Sequence, residues 1–282
     1  MGFELTNILD QGYSSSFKLS FLVLPKVQRQ AIMTIYDFCR ATDDIVDGDL
    51  EQNKKVLYIR HWRIELGKAL KGESKYALLN KLTETAKKFN IPVQHFYDLI
   101  RGVEMDLYKN RYKNFQELEE YCRLVASSVG LMVIKIFTEE NERIIKYAEN
   151  LGIALQLTNI LRDIKLDAKL NRIYVPVEDL QKFNYTEADL IQGIYNDNFF
   201  SLMEYETKRA EEYYERARNI LKPEDKIKLL APKIMERIYF RTLKKIKKNN
   251  YKVFDKTIRL SIFMKMLIAI KYFVKIKILK MA

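Results

Sequence analysis

Glycine and proline are so sparse that long stretches of this chain contain nothing to break a helix: 9 Gly and 5 Pro punctuate 282 residues. Between them run Leu, Ile, Lys, Glu and Ala, residues that lose little conformational freedom on entering a helix. No segment alternates apolar and polar residues with the period of two that a half-buried strand requires. The chain is therefore expected to be all-α, a single-domain helical bundle over residues 1–282 with no internal repeat, linker or low-complexity stretch.

The few breakers place the helices. Pro25 opens and Gly48 closes a helix carrying Ile32, Ile35, Tyr36 and Cys39 along one side. Further helices are expected from about Glu51 to Leu70, Ser74 to Phe89 and Pro92 to Lys109. Asn114 with Glu117 three residues on has the form of an N-cap and opens a helix to about Phe137. Thr138 is expected to cap the next one, reaching about Lys165. Asn171 to Pro176 reads as a loop, Thr186 with Asp189 as the cap of a short helix, and roughly 196–220, 223–248 and 256–278 as long helices.

Charge and cysteine usage narrow the class. Residues 241–282 hold 13 Lys and Arg against one acid, Asp255, so this segment carries the entire net charge of +12. A basic, apolar-rich helix at about 256–280 suits an anionic membrane surface. It equally suits a helix packed on the core with its lysine stems buried and their heads in water. The preceding residues are neutral and hold no recognised binding module, so no nucleic-acid partner is expected. Cys39 and Cys122 provide no disulfide framework, which points to a reducing, cytoplasmic setting. The first residues lack the basic and apolar regions of a secretory signal. No window offers the roughly 18 uninterrupted apolar residues of a spanning helix.

Two acidic stripes stand out. Asp43 and Asp47 are four apart and share a helix face with Tyr36 and Arg40. They also sit in a last turn, where the helix dipole disfavours negative charge. A divalent cation would repair this, and a solvated acidic helix end is the alternative reading. The second stripe is Gln156, Asn159, Asp163 and Asp167, at steps of three, four and four, among Leu155, Leu157, Ile160 and Leu161. Polar groups inside an apolar helix need satisfying, by a ligand or by a buried hydrogen-bond network. Arg162 and Arg172 lie nearby for pairing with acids or phosphate. Two facing helices of this kind would hold Mg²⁺ bridged to a diphosphate, because Mg²⁺ favours a few carboxylates plus phosphate oxygens and water. Zinc-ligand spacing, a P-loop and a dinucleotide glycine pattern are all missing from the sequence.

Taken together these segments resemble the squalene/phytoene synthase family, from Tyr13 to about Ala269. The first family motif is similar to Tyr36 through Asp47, the second to Gln156-Leu157-Thr158-Asn159-Ile160-Leu161-Arg162-Asp163 with Asp167 and then Arg172-Ile173-Tyr174. Tyr121 through Gly130 resembles the family's tyrosine and small-residue segment, and Ser14-Ser15-Ser16-Phe17 its N-terminal Ser-x-Ser-Phe. Ile164-Lys165-Leu166-Asp167 departs from the usual Val-Gly-Glu-Asp: it keeps the last Asp and lacks a carboxylate. Ser127 stands where many members have Gly.

The resemblance implies an isoprenoid-synthase bundle around a prenyl-binding cavity and a head-to-head prenyltransferase. One allylic diphosphate ionises, its cation alkylates a second, a proton is lost, and a cyclopropylcarbinyl diphosphate forms. By the same resemblance two or three Mg²⁺ would be held by Asp43, Asp47, Asn159, Asp163 and Asp167, and NADPH use stays open. Ser14, Ser16, Tyr36, Arg40, Gln156, Arg162, Arg172 and Tyr239 would contact substrate, Val125, Val129, Gly130 and Gly152 would shape its tunnel, and Tyr121 could shuttle a proton. Gly102 to Leu107 resembles a segment of both bacterial presqualene diphosphate and phytoene synthases, while Tyr239, Asn250 to Phe254, Arg259 to Ser261 and Lys265 resemble most the presqualene diphosphate synthase branch, which uses farnesyl diphosphate. Phytoene synthase, using geranylgeranyl diphosphate, and squalene or dehydrosqualene synthase are the alternatives within the family. A terpene cyclase, a nucleic-acid binder and a non-catalytic scaffold are the alternatives outside it.

Overall fold

A computed structural model describes residues 21–139 and 141–277, and all extended regular structure among them is helical. The order is α1 (Lys26–Asp47), α2 (Gln52–Lys71), α3 (Ala77–Phe89), α4 (Gln94–Met105), α5 (Phe115–Cys122), a π-helical turn (Arg123–Ser127) and α6 (Ser128–Lys135). There follow α7 (Glu142–Lys169), α8 (Val177–Lys182), α9 (Glu187–Gln192), α10 (Asp197–Ile220), α11 (Pro223–Lys228), α12 (Leu230–Lys248) and α13 (Ile262–Lys277). Ser14 and Ser16 lie outside the described residues.

Helix α7 is the axis of the bundle. It buries Tyr147, Ala148, Leu151, Gly152, Ile153, Ala154 and Leu157, which point in all directions around the helix. A helix apolar on every side must be surrounded, and α6, α10, α12 and the π turn pack about this one. Two apolar clusters fill the bundle, one around α7 and α10, the other around α1 to α4. Val125, Phe137 and Tyr239 touch both and join them.

Capping follows elementary hydrogen-bond accounting, with corrections. Asn114 accepts from the Glu117 amide at 3.0 Å as expected, while the Glu117 carboxylate turns to the Lys113 amide one residue earlier. Thr186 and Asp189 form a reciprocal capping box. Thr138 does not cap α7: Asn141 does, accepting from the Ile144 amide, and the helix runs on to Lys169. The expected helix from 114 to 137 is interrupted by the π turn. The expected helix 223–248 breaks at Leu229, because Pro232 lacks an amide and fits only the first turn of a new helix. The last helix starts at Ile262 instead of 256. Asn250 and Tyr251 take positive φ values of 47° and 56°, and the chain then runs irregularly with Val253, Phe254 and Ile258 buried. No described helix is long and apolar enough to cross a membrane.

Candidate active site

Helices α1 and α7 lie on either side of a largely apolar cavity of about 240 Å³. From α1 it receives Ile32, Ile35, Tyr36, Cys39 and Asp43, and from α7 Ala148, Leu151, Gly152, Gln156 and Asn159. Val125 of the π turn, Val129, Gly130 and Val133 of α6 and Tyr239 of α12 complete the wall. The residues from Tyr147 to Asn159 that face it span roughly 18 Å of helix, at 1.5 Å per residue. The long slot is polar at one end, where Asp43, Gln156 and Asn159 stand, and apolar along the rest.

Its narrowness depends on close backbone packing. A Cβ on Gly152 would lie 2.6 Å from both the N and Cα of Ser127, so α7 touches the π turn where only glycine fits. A Cβ on Gly102 of α4 would lie 2.6 Å from Val125 from the other side. The extra residue of a π turn is a common device at functional sites. Here the turn carries Val125 into the slot and leaves the Ser127 hydroxyl to donate to the Glu149 carbonyl at 2.9 Å.

The acidic groups gather at the polar end without merging. Asp43 is pushed up to about 8, first by removal from water and then by Asp47. Asp167 is also pushed up to about 8, by burial and then by Asp163. Both are raised further by Asp106, so the two stripes and Asp106 lie within electrostatic reach. Asp44 pairs outward with Arg40 at 2.9 Å. Asp163 accepts a two-pronged contact from its neighbour Arg162. Asp47 accepts from Arg172 at 2.6 Å. Asn159 donates to Gln156 at 3.3 Å, yet its own Oδ1 is buried with no partner.

Asp106, inside the Gly102 to Leu107 segment, is a residue that the spacing of the two acidic stripes does not single out, and it is the hub of this end. The Tyr121 and Tyr174 hydroxyls each donate to it at 2.9 Å, and Arg172 approaches to 3.8 Å. Tyr121 and Tyr174 stack with ring centroids 5.1 Å apart. Burial holds Asp106 up at about 6, against the pull of Arg172 and the two hydroxyls. Tyr121, Arg162 and Arg172 therefore border the acidic end without lining the slot. Lys165, which stands where the family usually has Gly, donates to the Phe254 carbonyl and anchors the irregular segment after α12. Tyr147 is a lining residue that no motif marked: its hydroxyl is buried without a partner.

The family model for squalene/phytoene synthase matches residues 11–264. The chain belongs to the squalene/phytoene synthase family. It is 36% identical over 272 residues to a phytoene synthase of Arthrospira platensis, covering 90% of this chain and 86% of that one. It is also 36% identical to a 15-cis-phytoene synthase of Synechocystis sp., covering 90% and 79%. Among solved structures it resembles a dehydrosqualene synthase with a TM-score of 0.81 and 28% identity, over 96% of this chain and 95% of that one. A squalene synthase from Alicyclobacillus acidocaldarius follows at 0.76 and 26%, over 88% and 94%. As a family member the chain is a prenyltransferase of the head-to-head type.

Members of the family use a divalent metal to bind diphosphate, and the residues present fit one. Among the described residues no three acidic, His or Cys side chains converge on a common point. Mg²⁺ asks for less: one or two carboxylates, with phosphate and water completing its octahedron. Asp43 and Asp167 strain against neighbouring negative charge, and the Asn159 oxygen lacks a donor. A cation bound at this end would meet all three needs.

Proposed function

We propose that this chain condenses two geranylgeranyl diphosphates to a C40 product, as a phytoene synthase does. The likeness at 36% identity across nine-tenths of the chain to proteins named phytoene synthase carries this reading. It favours the C20 alternative over the presqualene diphosphate branch preferred from the C-terminal segments. The long apolar slot is compatible with a C20 chain.

The roles follow from placement. Asp43, Asp47, Asn159, Asp163 and Asp167 would hold the metal ions at the polar end. Mg²⁺ bound there supplies positive charge against the diphosphate as it departs. Arg162 and Arg172 stand beside the acids as bidentate donors for phosphate oxygens. Tyr36 and Tyr239 place aromatic rings on the wall, suited to a developing allylic cation. Val125, Val129, Val133 and Leu151 keep water from that cation. Tyr121 holds its proton strongly because it is buried beside Asp106, and it acts through Asp106 and Arg172 as a positioning group.

The deciding experiment incubates the protein with Mg²⁺ and either farnesyl or geranylgeranyl diphosphate, with and without NADPH, and weighs the products. A C40 hydrocarbon from the C20 substrate alone supports the proposal. A C30 cyclopropyl diphosphate formed only from the C15 substrate overturns it and returns the chain to the presqualene branch.

A further inference from the structure

The last helix turns an apolar face to solvent. Along α13, Phe263, Leu267, Ile270 and Val274 recur at steps of three and four and so share one stripe, with Met266 beside it. All five are exposed, Phe263 to 73% and Ile270 to 50%. On the opposite side Ile268 and Ala269 are 3% and 2% exposed, and α13 packs on α12. A surface helix normally directs its one apolar face inward. This helix has two, and a contiguous apolar stripe left in water marks an interaction surface.

A basic pocket adjoins the stripe. Between α12 and α13 lies a cavity of about 220 Å³ walled by Arg237, Arg241, Lys271 and Lys275, with Ile268 and Tyr272. The acid next to Arg237, Glu236, is engaged by Arg218 and Lys233 at 2.7 and 2.5 Å. None of the four pocket cations has a carboxylate partner among the described residues. Four cations converging on one space repel one another, and an anion relieves that repulsion.

We propose that α13 seats the protein on an anionic bilayer: the outer stripe enters the headgroup–acyl boundary, and the Arg237, Arg241, Lys271 and Lys275 pocket takes a phospholipid phosphate. An apolar face with basic residues on its flank is the pattern of an interfacial helix. Charge complementarity selects the bilayer over a second copy of this chain, which would bring the same four cations to the contact on a molecule of net charge +12. Helix α12 serves both cavities, directing Arg237 and Arg241 to this pocket and Met235 and Tyr239 to the active slot. An enzyme with prenyl substrates thus stands on the phase that dissolves them.

The test is co-sedimentation of the full chain with phosphatidylcholine vesicles containing or lacking phosphatidylglycerol. Binding is expected to the anionic vesicles and to fall as salt rises. Lys271→Glu/Lys275→Glu is expected to weaken it by about tenfold or more, and Leu267→Ser/Ile270→Ser to abolish it. Both variants should keep the wild-type melting temperature and the turnover of detergent-dispersed substrate. Should the double serine variant fail to fold, Phe263→Ser at the exposed start of the helix reads the same contact. Equal binding to neutral vesicles, no binding to either, or unchanged binding by the variants overturns the proposal. So does a dimer in sedimentation equilibrium that Leu267→Ser/Ile270→Ser dissociates, since a second copy would then cover the stripe.

Discussion

Arg172 reaches back across 125 residues of sequence to Asp47, its guanidinium donating to the carboxylate at 2.6 Å. The same group lies 3.8 Å from Asp106, whose side chain is 8% exposed. One side chain thus ties the loop after α7 to the end of α1 and to the residue that follows α4. It holds the two acidic helices facing each other.

Removing that tie leaves Asp106 with two hydroxyl donors and no counter-charge. Arg172→Ala is expected to cost about 3 kcal/mol, the usual penalty for orphaning one member of a buried pair. A lower urea midpoint with unchanged slope would register it. Arg172→Lys should recover much of the stability but little of the turnover, because an ammonium lacks the planar fork. An unchanged midpoint in Arg172→Ala would refute the structural role.

Asp43→Asn should lower turnover on the order of 100-fold, because charge stabilisation of the leaving diphosphate is lost. Without Mg²⁺ the same variant should be as stable as the parent or more so, since the repulsion from Asp47 is gone. Parallel activity assays and melting curves check both halves. Near-normal activity at low Mg²⁺ would remove Asp43 from the metal site.

The pH dependence has a definite sign. Asp43 and Asp167 titrate near 8 in the folded protein, above the ordinary carboxylate value of 3.8. The folded state therefore binds more protons than the unfolded one, and stability contributed by these groups is lost as pH rises from about 4 through 8. Metal-free protein should show this decline, and Mg²⁺ should flatten it. Metal binding should also release protons and tighten with pH up to about 8. Calorimetric titration in buffers of differing ionisation enthalpy measures the release, and none at pH 7 would contradict the assignment.

Gly152→Ala should destabilise by about 2 kcal/mol through overpacking. The contacting atoms are the Ser127 backbone at 2.6 Å, which no rotamer change can move aside. Thermal melting checks this, with Gly72→Ala, where a Cβ meets nothing but the backbone takes φ of 79°, as a comparison of strain without crowding.

Tyr147→Phe removes a buried hydroxyl that has no partner. Stability should be unchanged or rise by up to about 1 kcal/mol, because an unsatisfied polar group is a cost in the folded state. A loss larger than that would reveal a bonding partner for the hydroxyl.

Much of this protein was legible from its sequence. Sparse breakers and helix-forming stretches determined an all-helical chain, and Thr186 with Asp189 determined a cap, because these are interactions between near neighbours. The spacing of Asp43 with Asp47, and of Gln156 through Asp167, likewise set each stripe on one helix face. The rest depended on which faces meet. Asp106 became a hub only when folding brought Tyr121, Tyr174 and Arg172 around it from 15, 68 and 66 positions away. The π turn sits where Gly152 and Gly102 let two helices close on Ser127 and Val125, a packing relationship that no local propensity announces. The outward apolar stripe of α13 was hidden for the same reason: periodicity shows that a helix has an apolar face, and only its neighbours decide whether that face is covered.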